Sequence, residues 1–334
     1  MILAREIVWR NPFRATRIPW LLRLYRAAYA PAPRLRHQLL QMPLRRAFHW
    51  SYALGAGGSL TAALRCADGE RELKLRSRNM QFGTLYMSRC AQGGEPETAA
   101  LLDLFAGERG ALYDIGSNWG YYPLYLCSRP DYHGSVHAFE PQPATFGDLR
   151  SVIKQAGLED RVTPHHVALS DRDGEGRIAL PDGVHSGLAA LTDDSRADKV
   201  ELRRLDGIDL PPPAVVKLDV EGHETEVLAG AEKTLSAHRP MLVFESWLLP
   251  DMDQTLRPFA RLRKDGYVFF QPGWLRESGG VREVTADADL RDGRPARLAL
   301  MPFAIEQRAA LREQFNVLAC RRERLDELRA LFPA

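Results

Sequence analysis

The chain has 334 residues, of which 45% are hydrophobic and 26% charged, with a formal charge of +2. That length holds one large domain with appendages or two small ones. The balance is that of an ordinary globular protein, and nothing in the total charge calls for a nucleic-acid partner. Cys66, Cys90, Cys127 and Cys320 form no C-x-x-C pair and fit no zinc pattern, so they read as reduced thiols. No apolar run approaches the roughly 18 residues that a membrane span needs. The start, Met1-Ile2-Leu3-Ala4-Arg5-Glu6, has no signal-peptide core. The expected location is therefore the cytoplasm.

Charge is uneven along the chain. Residues 1–50 hold ten arginines against one acid, Glu6, a local charge of +9 that leaves −7 on the remainder. Trp9, Phe13, Trp20, Leu21, Leu22, Tyr25 and Tyr29 interleave with the arginines, and five prolines cut the stretch into short pieces. Residues 1–50 read as a basic arm. Two roles are open for it: reversible attachment to an anionic membrane face, or packing over the acidic body. Residues 51–94 form a small subdomain in which 59–66 and 70–76 alternate around Asp68-Gly69, the pattern of a β-hairpin.

From residue 95 to 304 short apolar runs alternate with helical segments. Strands are expected at 111–115, 135–139, 162–167, 214–218, 241–244, 267–270 and 298–303, with helices between them. That rhythm means an α/β domain with a mostly parallel, doubly wound sheet covered on both faces. The last two strands follow each other without a helix and should pair antiparallel at one edge. Residues 172–212 interrupt the rhythm as a long insert with room for an extra hairpin and a substrate-facing loop. In it, His185 and Ser186 are either acceptor contacts or plain loop residues. A last segment, 305–334, is expected to be a C-terminal helix, because Leu311, Phe315, Leu318, Leu325, Leu328 and Leu331 form a helical stripe. The stripe serves packing on the domain or a homodimer contact.

Asp114-Ile115-Gly116-Ser117-Asn118-Trp119-Gly120 follows the first parallel strand. Its glycines allow a tight turn and close approach of a ligand. The spacing is G-x-x-x-G; a dinucleotide fold wants glycine where Asn118 stands, to let a pyrophosphate press on the backbone. Glu140, about 20 residues on and at the end of the next strand, is placed to grip ribose hydroxyls. Asp114, the glycine turn and Glu140 together describe an adenosine site without phosphates.

The stretches Asp114–Gly120, AFEPQP from Ala138, VALSD from Val167, VKLDVEGHE from Val216 and PMLVFE from Pro240 resemble the FkbM family of S-adenosylmethionine-dependent methyltransferases. The resemblance spans about residues 97–247. It implies a class I, Rossmann-like methyltransferase sheet of seven strands with one antiparallel. It also implies S-adenosylmethionine as cofactor, held by Asp114, Gly116, Ser117, Asn118, Gly120 and Glu140, with Ala168 and Ser170 near the adenine. The family methylates oxygens on polyketides, sugars and lipids, so the expected acceptor is a hydroxyl of a glycan or other small molecule.

Removing a hydroxyl proton during methyl transfer calls for a general base. Lys217, Asp219, Glu221 and His223, at the carboxyl end of the fourth strand, are the catalytic candidates. Two bland alternatives stand beside them: Glu221 with Gly222 as a helix cap, and His223 as a helix-start residue. No metal site is expected. Asp219, Glu221 and His223 have the right ligand chemistry, but alternate residues in a strand-to-helix turn seldom converge on one ion. His165 and His166 are expected to have no chemical role. A nucleic-acid methyltransferase guided by the arm and a non-catalytic cofactor-binding adaptor are the competing functions. The first lacks an Asn-Pro-Pro-Tyr-like loop for a flipped base, and nucleic acid is not an expected partner. Intact Asp114, Gly116, Glu140 and Asp219 speak against the second.

Overall fold

The computed structural model describes residues 2–20, 23, 43, 59–76, 79–86, 94–180, 187, 189–278, 281–285, 290–311 and 314–333. Much of the basic arm lies outside the described residues, including Leu21, Leu22, Tyr25, Tyr29, Arg26, Arg34, Arg36, Arg45 and Arg46. So do Cys90, His185 and Ser186. No helix among the described residues is long and apolar enough to cross a membrane.

In chain order, β1 (Leu3–Val8), β2 (Phe13–Arg17), β3 (Ser59–Cys66) and β4 (Gly69–Arg76) come first. They lead to α1 (Pro96–Ala106), β5 (Ala111–Ile115), α2 (Tyr121–Cys127), β6 (Val136–Phe139), α3 (Pro143–Ala156) and β7 (Val162–His165). β8 (Ala168–Leu169) follows, and the insert supplies β9 (Gly174–Ala179), β10 (Ala190–Leu191) and β11 (Asp198–Arg203). Next come β12 (Pro213–Leu218), α4 (Glu224–Gly230), α5 (Glu232–His238), β13 (Met241–Trp247) and α6 (Met252–Lys264). The chain ends with β14 (Tyr267–Ser278), β15 (Val281–Thr285), β16 (Pro295–Phe303), β17 (Gln314–Arg321) and α7 (Leu325–Leu331).

The main sheet has ten strands rather than seven. Its order is β1-β16-β14-β17-β13-β12-β5-β6-β7, with β15 paired to β14. The five strands from β13 to β7 are parallel. β17 runs antiparallel to both its neighbours, β13 and β14. β14 and β16 pair antiparallel, as their unbroken succession predicts. The parallel strands read as continuous apolar runs because both faces are covered. Leu112, Val136 and Val243 point into one core with α1, α2 and α3, while Tyr113, Ile115, Val216 and Phe244 point into the other with α4, α5 and α6. Local chemistry fixes the helix ends. Gln142 Oε1 accepts from Thr145 N (2.7 Å) at the start of α3, and Gly157 closes it at φ 64°. The insert does fold into extra strands, a small sheet in the order β10-β9-β11-β8.

Three expectations need correction. Residues 305–334 are not one helix, because β17 inserts between β13 and β14 at the middle of the sheet. Val317, Leu318, Ala319 and Cys320 are all fully buried, so the strand has no polar face and its apolar residues fall on helical spacing by accident. Only 325–331 is α-helical; Leu328 is fully buried in its own chain, and Leu325 and Leu331 pack on the same core. The segment 1–50 is not a separate arm over its described part, since β1 pairs with β16 at the sheet edge and β2 adds to the β3–β4 hairpin. Trp9 is buried against Tyr125 and Trp274. Some of the arginines are used internally. Arg5 Nη1 donates to Leu331 O (2.8 Å), and Arg10 donates to Ser128 Oγ (2.6 Å) and Tyr125 O (2.8 Å). Over residues 3–17 the segment therefore packs on the body. The subdomain 51–94 in turn gains β2 as a third strand and packs β4 on α3.

The histidines at the β6–β7 edge are structural. His137 Nδ1 and His165 Nε2 lie 3.2 Å apart, His165 stacks on Phe139 with ring centroids 4.5 Å apart, and His166 stacks on Phe146. Burial holds His137 below its ordinary range; burial together with the His137 ring brings His165 down to about 4. Protonation therefore favours the unfolded chain. The contribution of the pair is intact above about pH 6.5 and is lost as pH falls toward 4. Urea unfolding at pH 7 and pH 5 should show His165→Phe gaining on the wild type by on the order of 2 kcal/mol at the lower pH. An equal difference at both pH values would contradict this.

Candidate functional site

The carboxyl ends of β5, β6, β12 and β13 open on one cavity of about 760 Å³. This is where an open parallel sheet places its ligand crevice. The floor is set by two backbone constraints. Gly116 has φ +78°, and a Cβ there would lie 1.7 Å from Asp219 O, so only glycine lets the turn after β5 touch the turn after β12. Asn118 also takes a left-handed conformation (φ 51°), which its side chain supports by accepting from Trp119 N at 2.8 Å.

Lys217 sits under both turns and is buried. Its Nζ donates to Gly116 O (3.0 Å) and Asp219 Oδ2 (3.1 Å), lies 3.6 Å from Asp114 Oδ1, and stands over the Tyr122 ring at 5.3 Å. Burial pulls its pKa down, but Asp219 and Asp114 outweigh that and hold it above the ordinary lysine range. Asp114 is fully buried, accepts from Ser117 Oγ at 2.7 Å, and does not line the cavity. Asp114, expected at the ligand, is held beneath the turn by Ser117 and Lys217.

Glu140 does face the cavity. Its oxygens accept from Asn118 N (2.9 Å) and Gln142 N (2.8 Å), which fixes the carboxylate in place. Burial pushes it up to about 7 against the pull of those two amides. Beside it, Phe139, Ala168, Leu169 and Ile178 make an apolar slot. Gly116, Ser117, Asn118, Lys217, Asp219, Glu221 and His223 line the cavity as well, whereas Gly120 and Ser170 do not. Gly120 lies against Leu149, where a Cβ would come within 2.7 Å of Cδ1. Ser170 Oγ meets His223 Nε2 at 3.0 Å, and His223 Nδ1 faces Glu226 at 3.5 Å. Both ring nitrogens of His223 are engaged along the wall, and burial keeps it below its ordinary pKa.

No side chain caps α4, and the turn before it is braced by Glu224. Glu224 Oε1 accepts from Gly222 N (3.2 Å) and Val220 N (3.4 Å), while Glu221, at φ 52°, lines the cavity. There Asp219, Glu221 and Glu245 bring carboxylate oxygens within 4.8 Å of one another. The third member of the cluster is therefore Glu245 and not His223. Burial, with the charge of Asp219 added, raises Glu221 to about 7 and Glu245 to about 8. Such a cluster stays compact by sharing protons or by taking a divalent cation, and a carboxylate titrating near neutrality is suited to accept a hydroxyl proton. Glu95, which accepts from Tyr122 Oη at 2.7 Å, adds a fourth acid, raised by burial and then by Asp219. Glu95 and Glu245 were missed as site residues. Glu245 does carry a signal, an acid closing an apolar strand as Glu140 and Asp219 do; Glu95 precedes a helix and carries none.

The N-terminal segments buttress the near wall. Phe13 stacks on Tyr121 (5.0 Å), and Phe82, from a 3-10 turn at Met80–Leu85, packs on Trp119 (5.1 Å). Trp119, Tyr121, Gln81 and Thr84 line the cavity.

A carboxyl held above its unfolded pKa stabilises the fold below that value and loses its contribution as pH rises through the folded pKa. Glu245→Gln should therefore leave unfolding free energy nearly unchanged at pH 5 relative to wild type. At pH 9 it should gain about 1 kcal/mol or more, because the ionised carboxylate no longer has to be buried beside Asp219. An equal effect at both pH values would remove the repulsion from this cluster.

Residues 114–269 match the family described as the methyltransferase FkbM domain. Hexuronic acid methyltransferase AglP of Haloferax volcanii is 32% identical over 150 residues, covering 43% of this chain and 59% of its own length. Two solved structures are also similar. Methyltransferase FkbM from Methylobacillus flagellatus gives a TM-score of 0.37 at 17% identity, over 84% of this chain and 58% of that one. The O-methyltransferase from Bacillus cereus, in complex with SAH, gives 0.35 at 14% identity, over 61% of this chain and 79% of that one. The chain spans less than two thirds of the length of AglP and of the Methylobacillus protein. The glycine turn, Glu140 and the Lys217 strand all lie inside the residues that match the FkbM methyltransferase domain.

Proposed function

We propose that the protein is an S-adenosylmethionine-dependent O-methyltransferase acting on a hydroxyl of a saccharide. The observation that carries the cofactor is the fixed Glu140 carboxylate beside an apolar slot. Two backbone amides hold its oxygens, each oxygen keeps acceptor capacity for a ribose hydroxyl, and Phe139, Ala168, Leu169 and Ile178 offer apolar walls to an adenine. The cavity then turns acidic toward Glu95, Asp219, Glu221 and Glu245, which suits a donor that carries a positive sulfonium and disfavours phosphates. The strand order β7-β6-β5-β12-β13-β17-β14, with only β17 reversed, supports this reading, with β1, β15 and β16 added to it. The saccharide acceptor is supported by the likeness to a hexuronic acid methyltransferase.

When bound, S-adenosylmethionine supplies an activated methyl, so in-line positioning is the main demand on the protein. The Gly116 turn and Glu140 would hold the nucleoside. Lys217 pairs with Asp219 and fixes both turns. Glu221 and Glu245, raised toward neutrality at the cavity's acidic end, accept the proton of an acceptor hydroxyl. An acid-lined cavity also disfavours a nucleic-acid acceptor.

Calorimetry with S-adenosylmethionine should show binding to the wild type, weakened roughly tenfold or more in Glu140→Ala through loss of charge-assisted hydrogen bonds. Glu221→Gln should bind within a few-fold of wild type yet transfer labelled methyl to hexuronate saccharides about 10²–10⁴ times more slowly. Unchanged affinity in the first variant, or unchanged transfer in the second, would remove that residue from its role.

A further inference from the structure

Among the described residues, three large apolar side chains stand exposed: Val8, Trp20 and Trp247. Trp247 differs from the others in its place. It ends β13, two residues beyond Glu245, and residues two apart on a strand share a face. Glu245 lines the cavity, and so does Gln314, which pairs with Trp247 across the β13–β17 ladder. The indole thus stands beside the acidic end of the cavity, against Glu245. It is 37% exposed, yet it is held in orientation, because Nε1 donates to Glu245 Oε2 at 2.7 Å. Gln314 Nε2 donates to the other oxygen of the same carboxylate.

Resting on the saccharide reading above, we propose that Trp247 is the platform on which the sugar ring of the acceptor stacks, with the Glu245 carboxylate receiving one of its hydroxyls. A pyranose carries C–H groups on its ring face and hydroxyls around its edge. The C–H groups are weakly positive and fit the negative face of an indole. The edge hydroxyls need hydrogen-bond acceptors beside that face, and Glu245 is the nearest one shown, already aligned by the indole itself. A ring stacked there would extend over the Asp219–Glu221–Glu245 cluster, which brings an edge hydroxyl to the groups that accept its proton. An exposed aromatic with its polar atom satisfied loses little conformational freedom on binding, so the arrangement is prepared for a flat, amphipathic ligand.

The probes are methyl glucuronide and methyl glucopyranoside, each added to the full chain saturated with S-adenosylhomocysteine and observed by saturation-transfer NMR. Wild type should transfer saturation to the ring C–H protons of at least one probe. Trp247→Ala should weaken that binding about threefold to tenfold, and Trp247→Phe, which keeps an aromatic face, should restore most of it. S-adenosylhomocysteine affinity, measured by calorimetry, should be the same in all three proteins. Equal saccharide binding in Trp247→Ala would overturn the platform. So would an absence of transfer from either probe to wild type that binds S-adenosylhomocysteine normally. Failure of wild type to bind S-adenosylhomocysteine at all would instead defeat the cofactor reading, and the platform with it.

Discussion

The buried ammonium of Lys217 is the constraint on which the site depends. Three neighbours converge on it: Gly116 O from the turn after β5, Asp219 beyond β12, and Asp114 beneath the turn. Lys217 and Asp114 are register partners on adjacent parallel strands, so the sheet itself places the pair. The buried Lys217 and Asp114 are tolerable only together, since removing one partner of a buried ion pair costs about 3–5 kcal/mol. The same triad fixes where Gly116 touches Asp219 and thereby the floor that Glu140 and Glu221 look across. Geometry at the cavity is thus anchored in the core of the sheet, with little left to surface loops.

Around that anchor the rest of the chain divides by task. The parallel strands and their helices shape the half of the cavity that ends at Glu140 and the apolar slot. The other half is made by additions. On one side the 3-10 turn contributes Gln81 and Thr84, and Phe13 of β2 and Phe82 pack on the lining rings of Trp119 and Tyr121. β17 contributes Gln314 to the far side. Ile178, Ala189 and Leu191 of the insert close a third edge. Site chemistry on a common sheet is commonly varied in this way, with scaffold and accessory segments contributing different surfaces.

How much of this was legible in the sequence follows from period and burial. β5, β6 and β12 announce themselves as short apolar runs, each closed by an acid or a glycine, and the glycine turn and Glu140 could be placed from spacing alone. β17 could not be recognised, because a strand buried on both faces loses the alternation that identifies strands. β1 was hidden for a related reason: its arginine and glutamate lie among apolar residues on an edge strand, where charge at the surface is ordinary. The pairing of Asp114 was not legible, because sequence shows a carboxylate near a ligand turn but not the lysine beside it. That lysine stands 103 residues later in the chain and is brought adjacent only by the β5–β12 pairing. Glu245 and Trp247 needed the fold as well, since nothing local reveals that β13 ends beside Asp219.

Hydrogen exchange measured by mass spectrometry, with and without S-adenosylmethionine, tests the central claim most directly. If the cofactor sits between the two turns that Lys217 joins, backbone amides in 115–120, 139–142 and 219–222 should gain protection together, while the β1–β16 edge of the sheet changes little. Unchanged exchange in all three segments at saturating cofactor, or protection confined to segments away from them, would contradict it.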